Sequence, residues 1–188
     1  VAAGMLEAEA SFGRSDAGSG GVCAGRSGVR PRGPPREPID PVRYISNHSS
    51  GKMGYALASA ASKAGARVIL VSGPVALAPP IGVEVRQVLT AEDMLREASN
   101  AVDEGCDLFI ATAAVADYRP ETCAGDKIKK SSEAMALSLV RNPDTLATIA
   151  GRDDAPLTLG FAAETPAVAR QAPDTLPRNT LNTLAATA

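Results

Sequence analysis

The sequence predicts an α/β fold, a Rossmann-like parallel sheet flanked by helices. Two runs, Arg67-Val68-Ile69-Leu70-Val71 and Asp107-Leu108-Phe109-Ile110-Ala111-Thr112-Ala113, are apolar almost without interruption. Such runs suit strands covered on both faces, as in parallel sheets. Stretches of helical spacing alternate with them, which is the rhythm of strand–helix–strand units. Each of these helical stretches stops at a glycine, Gly65 and Gly105, where a left-handed cap belongs.

Residues 1–36 are rich in Gly, Ser, Ala and Arg and lack periodicity, so they read as a flexible tail. A transit peptide is the alternative suggested by Arg14, Arg26, Arg30, Arg32 and Arg36, and Glu7, Glu9 and Asp16 argue against it. Residues Pro38 to Gly54 read as a proline-bounded polar loop running into a helix. That helix spans Lys52 to Ala64, with Met53, Ala56, Leu57, Ala60, Ala61 and Ala64 at helical spacing. The strand at Arg67 follows, closed by Ser72-Gly73-Pro74. Val83 to Val88 alternates and reads as a strand nearer the sheet edge. Thr90 and Asp93 have the spacing of a capping box and open a helix that turns Met94, Leu95, Ala98 and Val102 inward. After the Asp107 strand, Met135 to Val140 reads as a short alternating strand. Asn142-Pro143-Asp144 is a turn that starts a helix over Thr145 to Ala150. Leu157 to Phe161 is another strand, and Pro166 suits the first turn of a helix reaching about Gln171.

Composition narrows the function classes. The chain has 188 residues and a net charge of −2, which leaves no global electrostatic footprint for nucleic acid. With a single histidine, His48, and three cysteines, Cys23, Cys106 and Cys123, out of ligand spacing, no zinc constellation is present. The cysteines read as unbridged thiols of a reducing, cytoplasmic setting. No apolar run reaches the roughly 18 residues of a membrane span, and no secretory signal is visible at the N-terminus. A core built on 3% aromatic residues must rest on Ala, Val, Leu and Ile.

Two stretches stand out chemically. Arg43 and Asn47 lie four apart in the polar loop that leads into a helix N-terminus, where backbone N–H groups suit an anion. Asn offers two donors and an acceptor, and Arg a fork for phosphate or carboxylate. Either residue alone is an ordinary surface feature; their density beside Ser49-Ser50-Gly51 points to a site. The loop is neither a Walker A motif nor a G-x-G-x-x-G. His48, with no ordered partner, is read as structural. The second stretch ends the Asp107 strand. Ala111, Thr112, Ala113 and Ala114 leave room for a flat ring, and Asp117 can accept from an exocyclic amine. Asp117 alone would be a loop cap. Lys127, Lys129 and Lys130 form a cationic run, ordinarily a solvated face, which beside a strand-end pocket could neutralise a triphosphate.

In combination these segments resemble the phosphopantothenate–cysteine ligase family, the ligase half of the bacterial bifunctional coenzyme A biosynthesis protein. The matching blocks run from Arg36-Glu37-Pro38-Ile39-Asp40 through Gly54, then Ala113 to Pro120, Lys127-Ile128-Lys129-Lys130, Asn142-Pro143-Asp144, and Gly160-Phe161-Ala162-Ala163-Glu164-Thr165. They stand in family order over residues 36 to about 171. The resemblance implies that the carboxylate of phosphopantothenate attacks the α-phosphate of CTP, releasing pyrophosphate, and that the amine of L-cysteine then displaces CMP from the acyl-cytidylate. It implies that Arg43 and Asn47 handle the acyl-cytidylate and that Lys127 serves its formation. It implies nucleotide contacts at Ala111, Thr112, Ala113, Asp117, Pro143, Asp144, Thr145, Leu146 and Phe161. Mg²⁺ would accompany the triphosphate. A homodimer is implied, beside a separate or fused flavin-dependent decarboxylase, with no flavin in this chain. The preference for CTP over ATP rests on the bacterial character of the blocks.

Departures from the family pattern lie at the ends. Gly28 to Pro35 stands where the family has an apolar strand, Ala172 to Ala188 lacks lysine, and the final strands are expected to be missing. The domain is thus expected over residues 37–171, between a 1–36 tail and a divergent 172–188 tail, truncated at both ends. A catalytically inactive remnant keeping nucleotide binding or a dimer interface is the competing expectation. A nicotinamide-dependent oxidoreductase is disfavoured: G-x-G-x-x-G is absent, and none of Tyr44, Tyr55 or Tyr118 has a lysine four residues later.

Overall fold

The structure, a computed structural model, describes residues 35–112, 114–129, 134–163 and 183–187. It opens with a hairpin rather than the loop expected over Pro38 to Ile45. Strands β1 (Glu37–Asp40) and β2 (Arg43–Ile45) pair antiparallel, with Glu37 opposite Ile45 and Asp40 opposite Arg43. Asp40-Pro41-Val42-Arg43 makes the turn, with Asp and Pro at positions that favour one. The Asp40 carboxylate accepts from the Val42 and Arg43 N–H groups, each at 2.9 Å, so the turn satisfies donors that a ladder would otherwise have to take.

Helix α1 (Lys52–Lys63) starts from Gly51 at φ 81°, and Gly65 follows its end at φ 89°, as the sequence predicts. Strands β3 (Val68–Ser72) and β4 (Val83–Gln87) are parallel in direct register, Val68 with Val83 through Ser72 with Gln87. Alternate residues of β3 serve opposite faces. Val68 and Leu70 pack with Tyr55, Ala58 and Ala61 of α1. Ile69 and Val71 face α2 (Ala91–Asp103), meeting Ala101 and Met94. The capping box of α2 is present: Thr90 accepts from the Asp93 N–H and Asp93 from that of Thr90.

Strand β5 (Leu108–Ala111) buries Phe109 against Ala98 and Val102 of α2 and Ile149 of the short helix α3 (Thr145–Ala150). Beside it run β8 (Leu157–Ala163) and β9 (Thr183–Thr187), all parallel, in the order β5-β8-β9. Residues 183–187, read from sequence as part of a divergent tail, thus supply a sheet strand. The expected parallel sheet is present as two ladders, β3-β4 and β5-β8-β9, with no pairing between them among the described residues. Helix α2 lies across both, because its Met94 and Ala101 meet β3 while its Ala98 and Val102 meet β5.

A second antiparallel ribbon joins β6 (Tyr118–Pro120) to β7 (Leu139–Arg141). The alternating strand expected from Met135 shortens to Leu139–Arg141. Its partner ends at Pro120, which has no N–H to continue the ladder, and one further bond, Glu121 N–H to Ser138 O, closes the ribbon. Met135, Leu137 and Leu139 are exposed. The helix expected from Pro166 lies outside the described residues. Among the described residues no helix is long and apolar enough to cross a membrane.

Candidate functional site

The β1–β2 hairpin positions the site, and it does so through side chains that tie it to two other segments. Asp40 is buried and divides its two oxygens between different tasks. Oδ1 holds the turn, as described. Oδ2 accepts from Arg43 Nε at 2.9 Å, from Arg43 Nη2, and from the Ile128 N–H at 3.2 Å. Arg43 Nη2 also donates to the Ile128 carbonyl at 2.9 Å. Ile128 is therefore gripped at both its N–H and its C=O. The Arg43 guanidinium holds the Asp40 carboxyl well below the usual carboxylate range, helped by the surrounding N–H donors. A further strut runs from the Ala124 N–H to Ile39 O at 3.0 Å. Lys127 and Lys129 flank Ile128 and are exposed, while Lys130 lies outside the described residues.

Two residues past β2, Asn47 reaches the end of β5. Its Nδ2 donates to the carbonyls of Ala114 and Val115, each at 3.1 Å. Carbonyls only accept, so the amide must face them with its nitrogen, and its Oδ1 is directed elsewhere. The same segment is held from the other side by Asn142. Its Nδ2 donates to Ala116 O at 2.8 Å, and its backbone N–H to Asp117 O at 2.8 Å. Asp117 is left exposed at the rim.

The strand ends are nearly free of side chains. Ala111 stands opposite Gly160 in the β5–β8 register, followed by buried Thr112 and half-buried Phe161. A flat ring laid on these ends would meet a methyl group and backbone. Asp144 caps α3 through the Ala147 N–H at 2.9 Å. The Thr145 hydroxyl is buried and has no hydrogen-bond partner among the described residues. Pro143 is half-buried beside it. Leu146 is half-buried and packs against the cluster of Phe109 and Ile149. Ala113 lies outside the described residues.

Of the residues singled out from sequence, the structure sets Asn47 on the Ala114 and Val115 carbonyls and, through the β5–β8 register, Ala111 opposite Gly160, the residue before Phe161. Sequence reasoning assigned Arg43 to a ligand; the structure places its Nε and Nη2 on Asp40, with Nη2 also on the Ile128 carbonyl, and leaves the side chain 38% exposed. Sequence reasoning missed Asp40, whose Asp-Pro turn signature could have flagged it, and Asn142, read only as a turn residue. It also missed Glu37, for which no local signal exists. Glu37 is 1% exposed and accepts from the Ala91 N–H at the start of α2 at 2.9 Å; burial pushes its carboxyl up. Among the described residues no cluster of three or more His, Cys, Asp or Glu side chains could cage a metal ion.

Comparison with known proteins gives a consistent picture. Residues 24–188 match the family model described as the DNA/pantothenate metabolism flavoprotein C-terminal domain. The coenzyme A biosynthesis bifunctional protein CoaBC of Vibrio parahaemolyticus is 51% identical over 168 residues, covering 88% of this chain and 42% of that protein. Its Escherichia coli K12 counterpart is 53% identical over 137 residues, 71% of this chain and 34% of that one. The chain therefore spans well under half the length of these relatives. Among solved structures, the C-terminal domain of a CoaBC superposes with a TM-score of 0.70 at 43% identity, over 85% of this chain and 75% of that one. A DNA/pantothenate metabolism flavoprotein from Streptococcus pneumoniae shares the fold at a TM-score of 0.69 and 24% identity, over 84% of this chain and 80% of that one.

Proposed function

Because the chain belongs to the family of DNA/pantothenate metabolism flavoprotein C-terminal domains, we propose that it works in coenzyme A biosynthesis as a ligase joining phosphopantothenate to L-cysteine at the expense of CTP. In the first step a carboxylate oxygen of phosphopantothenate bonds to the α-phosphorus of CTP, and the bond to the β-phosphate oxygen breaks, releasing pyrophosphate. In the second, the cysteine amine bonds to the acyl carbon, the acyl–oxygen bond breaks, CMP leaves and the amine gives up a proton.

The observation that carries this reading is the Asn47 amide fastened to the Ala114 and Val115 carbonyls. It sets the polar loop against side-chain-poor strand ends, which is what a site uniting an acyl group with a flat nucleobase requires. The base would lie on Ala111, Thr112, Ala113 and Phe161, with Asp117 accepting from its exocyclic amine. Pro143, Asp144 and Thr145 would line the same slot, the buried Thr145 hydroxyl offering an unused polar group. Lys127 would stabilise the charge that builds on the departing pyrophosphate. Asn47 would orient the acyl-cytidylate for the amine. Mg²⁺ would arrive on the triphosphate, held mainly by its phosphates.

A cytoplasmic homodimer beside a fused or separate flavin-dependent decarboxylase completes the proposal. The exposed apolar side chains of Tyr118 and Leu139 on the β6–β7 ribbon, with Met135 and Leu137 just before β7, support a subunit contact. The test is to incubate the protein with phosphopantothenate, CTP, Mg²⁺ and L-cysteine while following pyrophosphate and CMP. Lys127→Gln is expected to suppress pyrophosphate release, and Asn47→Asp to suppress CMP release more than pyrophosphate release. No turnover by the unaltered chain despite CTP binding would favour an inactive relative instead.

A further inference from the structure

The notable feature of the Asp40–Arg43 pair is that both members point at the same backbone unit, that of Ile128. Asp40 Oδ2 takes its N–H, and Arg43 Nη2 gives to its C=O. A residue held at both ends cannot rotate about its own φ and ψ without breaking one contact, so its two neighbours in sequence are fixed in direction as well. Those neighbours are Lys127 and Lys129. We infer that Asp40 and Arg43 are positioning residues: together they clamp Ile128 and so aim Lys127 and Lys129 at the nucleotide phosphates. The clamp rests on the ligase reading for what the lysines meet, but its geometry does not.

This reassigns Arg43. A guanidinium whose Nε and Nη2 are engaged by Asp40 and Ile128 acts on the reaction through the lysine segment. The division of labour within Asp40 makes the idea separable from simple folding. Oδ1 holds the β1–β2 turn, and Oδ2 holds Arg43 and Ile128. In Asp40→Asn the amide oxygen can keep the turn bonds, while its NH₂ replaces the acceptor that the Ile128 N–H and the guanidinium need. Arg43→Lys supplies the second route. It preserves the charge beside Asp40 yet loses the planar fork that spans carboxylate and carbonyl at once.

The experiment measures amide hydrogen exchange at Ile128 by NMR in the unaltered protein, Asp40→Asn and Arg43→Lys, beside pyrophosphate release with CTP, Mg²⁺ and phosphopantothenate. The expected result is exchange at Ile128 at least about tenfold faster in both variants, with the melting transition of each retained. Pyrophosphate release should fall roughly 10- to 100-fold, the scale of a small misplacement of a catalytic group. Combining Arg43→Lys with Lys127→Gln should be no worse than Lys127→Gln alone. Unchanged exchange at Ile128 in both variants overturns the clamp. So does a multiplied rate loss in the double variant, since Arg43 would then act on substrate directly. Absence of pyrophosphate release by the unaltered protein would sink the ligase reading, while the exchange rates would still decide the clamp.

Discussion

Replacing Asn47 in two ways distinguishes what its amide does. Both N–H groups of Nδ2 are spent on the Ala114 and Val115 carbonyls at 3.1 Å. Each such bond is worth roughly 0.5–1.5 kcal/mol net, and Asn47 is exposed, so the lower end applies and the pair contributes about 1 kcal/mol. Asn47→Ala should therefore reduce the anchored population of the loop about fivefold. Asn47→Asp goes further. It loses both donors and turns a carboxylate oxygen toward two carbonyl oxygens, for a total near 2 kcal/mol, or about thirtyfold. The assay is single-turnover CMP release from preformed acyl-cytidylate on addition of L-cysteine, with Asn47→Asp expected to be several-fold slower than Asn47→Ala. The opposite order would refute the reasoning. An Asp that outperforms Ala would mean that the acceptor oxygen, which Asp retains, matters more than the anchoring of the strand end.

Two further outcomes concern the framework. Burial raises the folded pKa of Glu37 above its ordinary 4.5, so its contribution is fully present below that value and is lost as pH rises through the raised one. Urea unfolding at a series of pH values should show Glu37→Gln flattening this fall on the alkaline side of 4.5, because a neutral amide oxygen can still accept from Ala91. Asp40 acts in the opposite sense, lending stability above its unfolded pKa that disappears as the solution is acidified. Phe109→Ala should lose about 3–5 kcal/mol in urea unfolding, the range for truncating a buried aromatic, since Phe109 is 1% exposed and joins α2, α3 and β5. A loss under about 1 kcal/mol would mean the three elements are not packed through that ring.

Regular elements were legible wherever local chemistry and tertiary packing agree. The glycine stops at Gly65 and Gly105, the Thr90 capping box and the apolar β3 and β5 runs all survive in the fold. The strand read over Met135 to Val140 shortened to Leu139–Arg141 because alternation marks a strand only where a partner exists, and the partner ends at Pro120. The hairpin at Glu37 to Ile45 was hidden by its prolines, whose missing donors matter less once Asp40 satisfies the turn. Among candidate site residues, what was readable was the small side chains that follow the apolar β5 run. What could not be read was the partner of each polar group. Arg43 looks like a ligand fork in isolation, and only the 85-residue separation closed by its bond to Ile128 reveals the other use. Glu37 was invisible for the same reason, its acceptor role depending on the start of a helix 54 positions away.

Helix α2 lying across two ladders bears on how the molecule comes apart. Neither ladder exchanges strand bonds with the other among the described residues, so they meet through side chains: α2, of 13 residues, packs on both, Cys106 packs against Ile69, and Val115 against the cluster of Val71. Loosening those contacts together would let the ladders open as separate cooperative units, each with its own local free energy of opening. The loop of Asn47 and the end of β5 lie on opposite sides of this division in the chain. A ligand gripping both would therefore act as a rivet, reinforcing at the site the bonds from Asn47 to Ala114 and Val115.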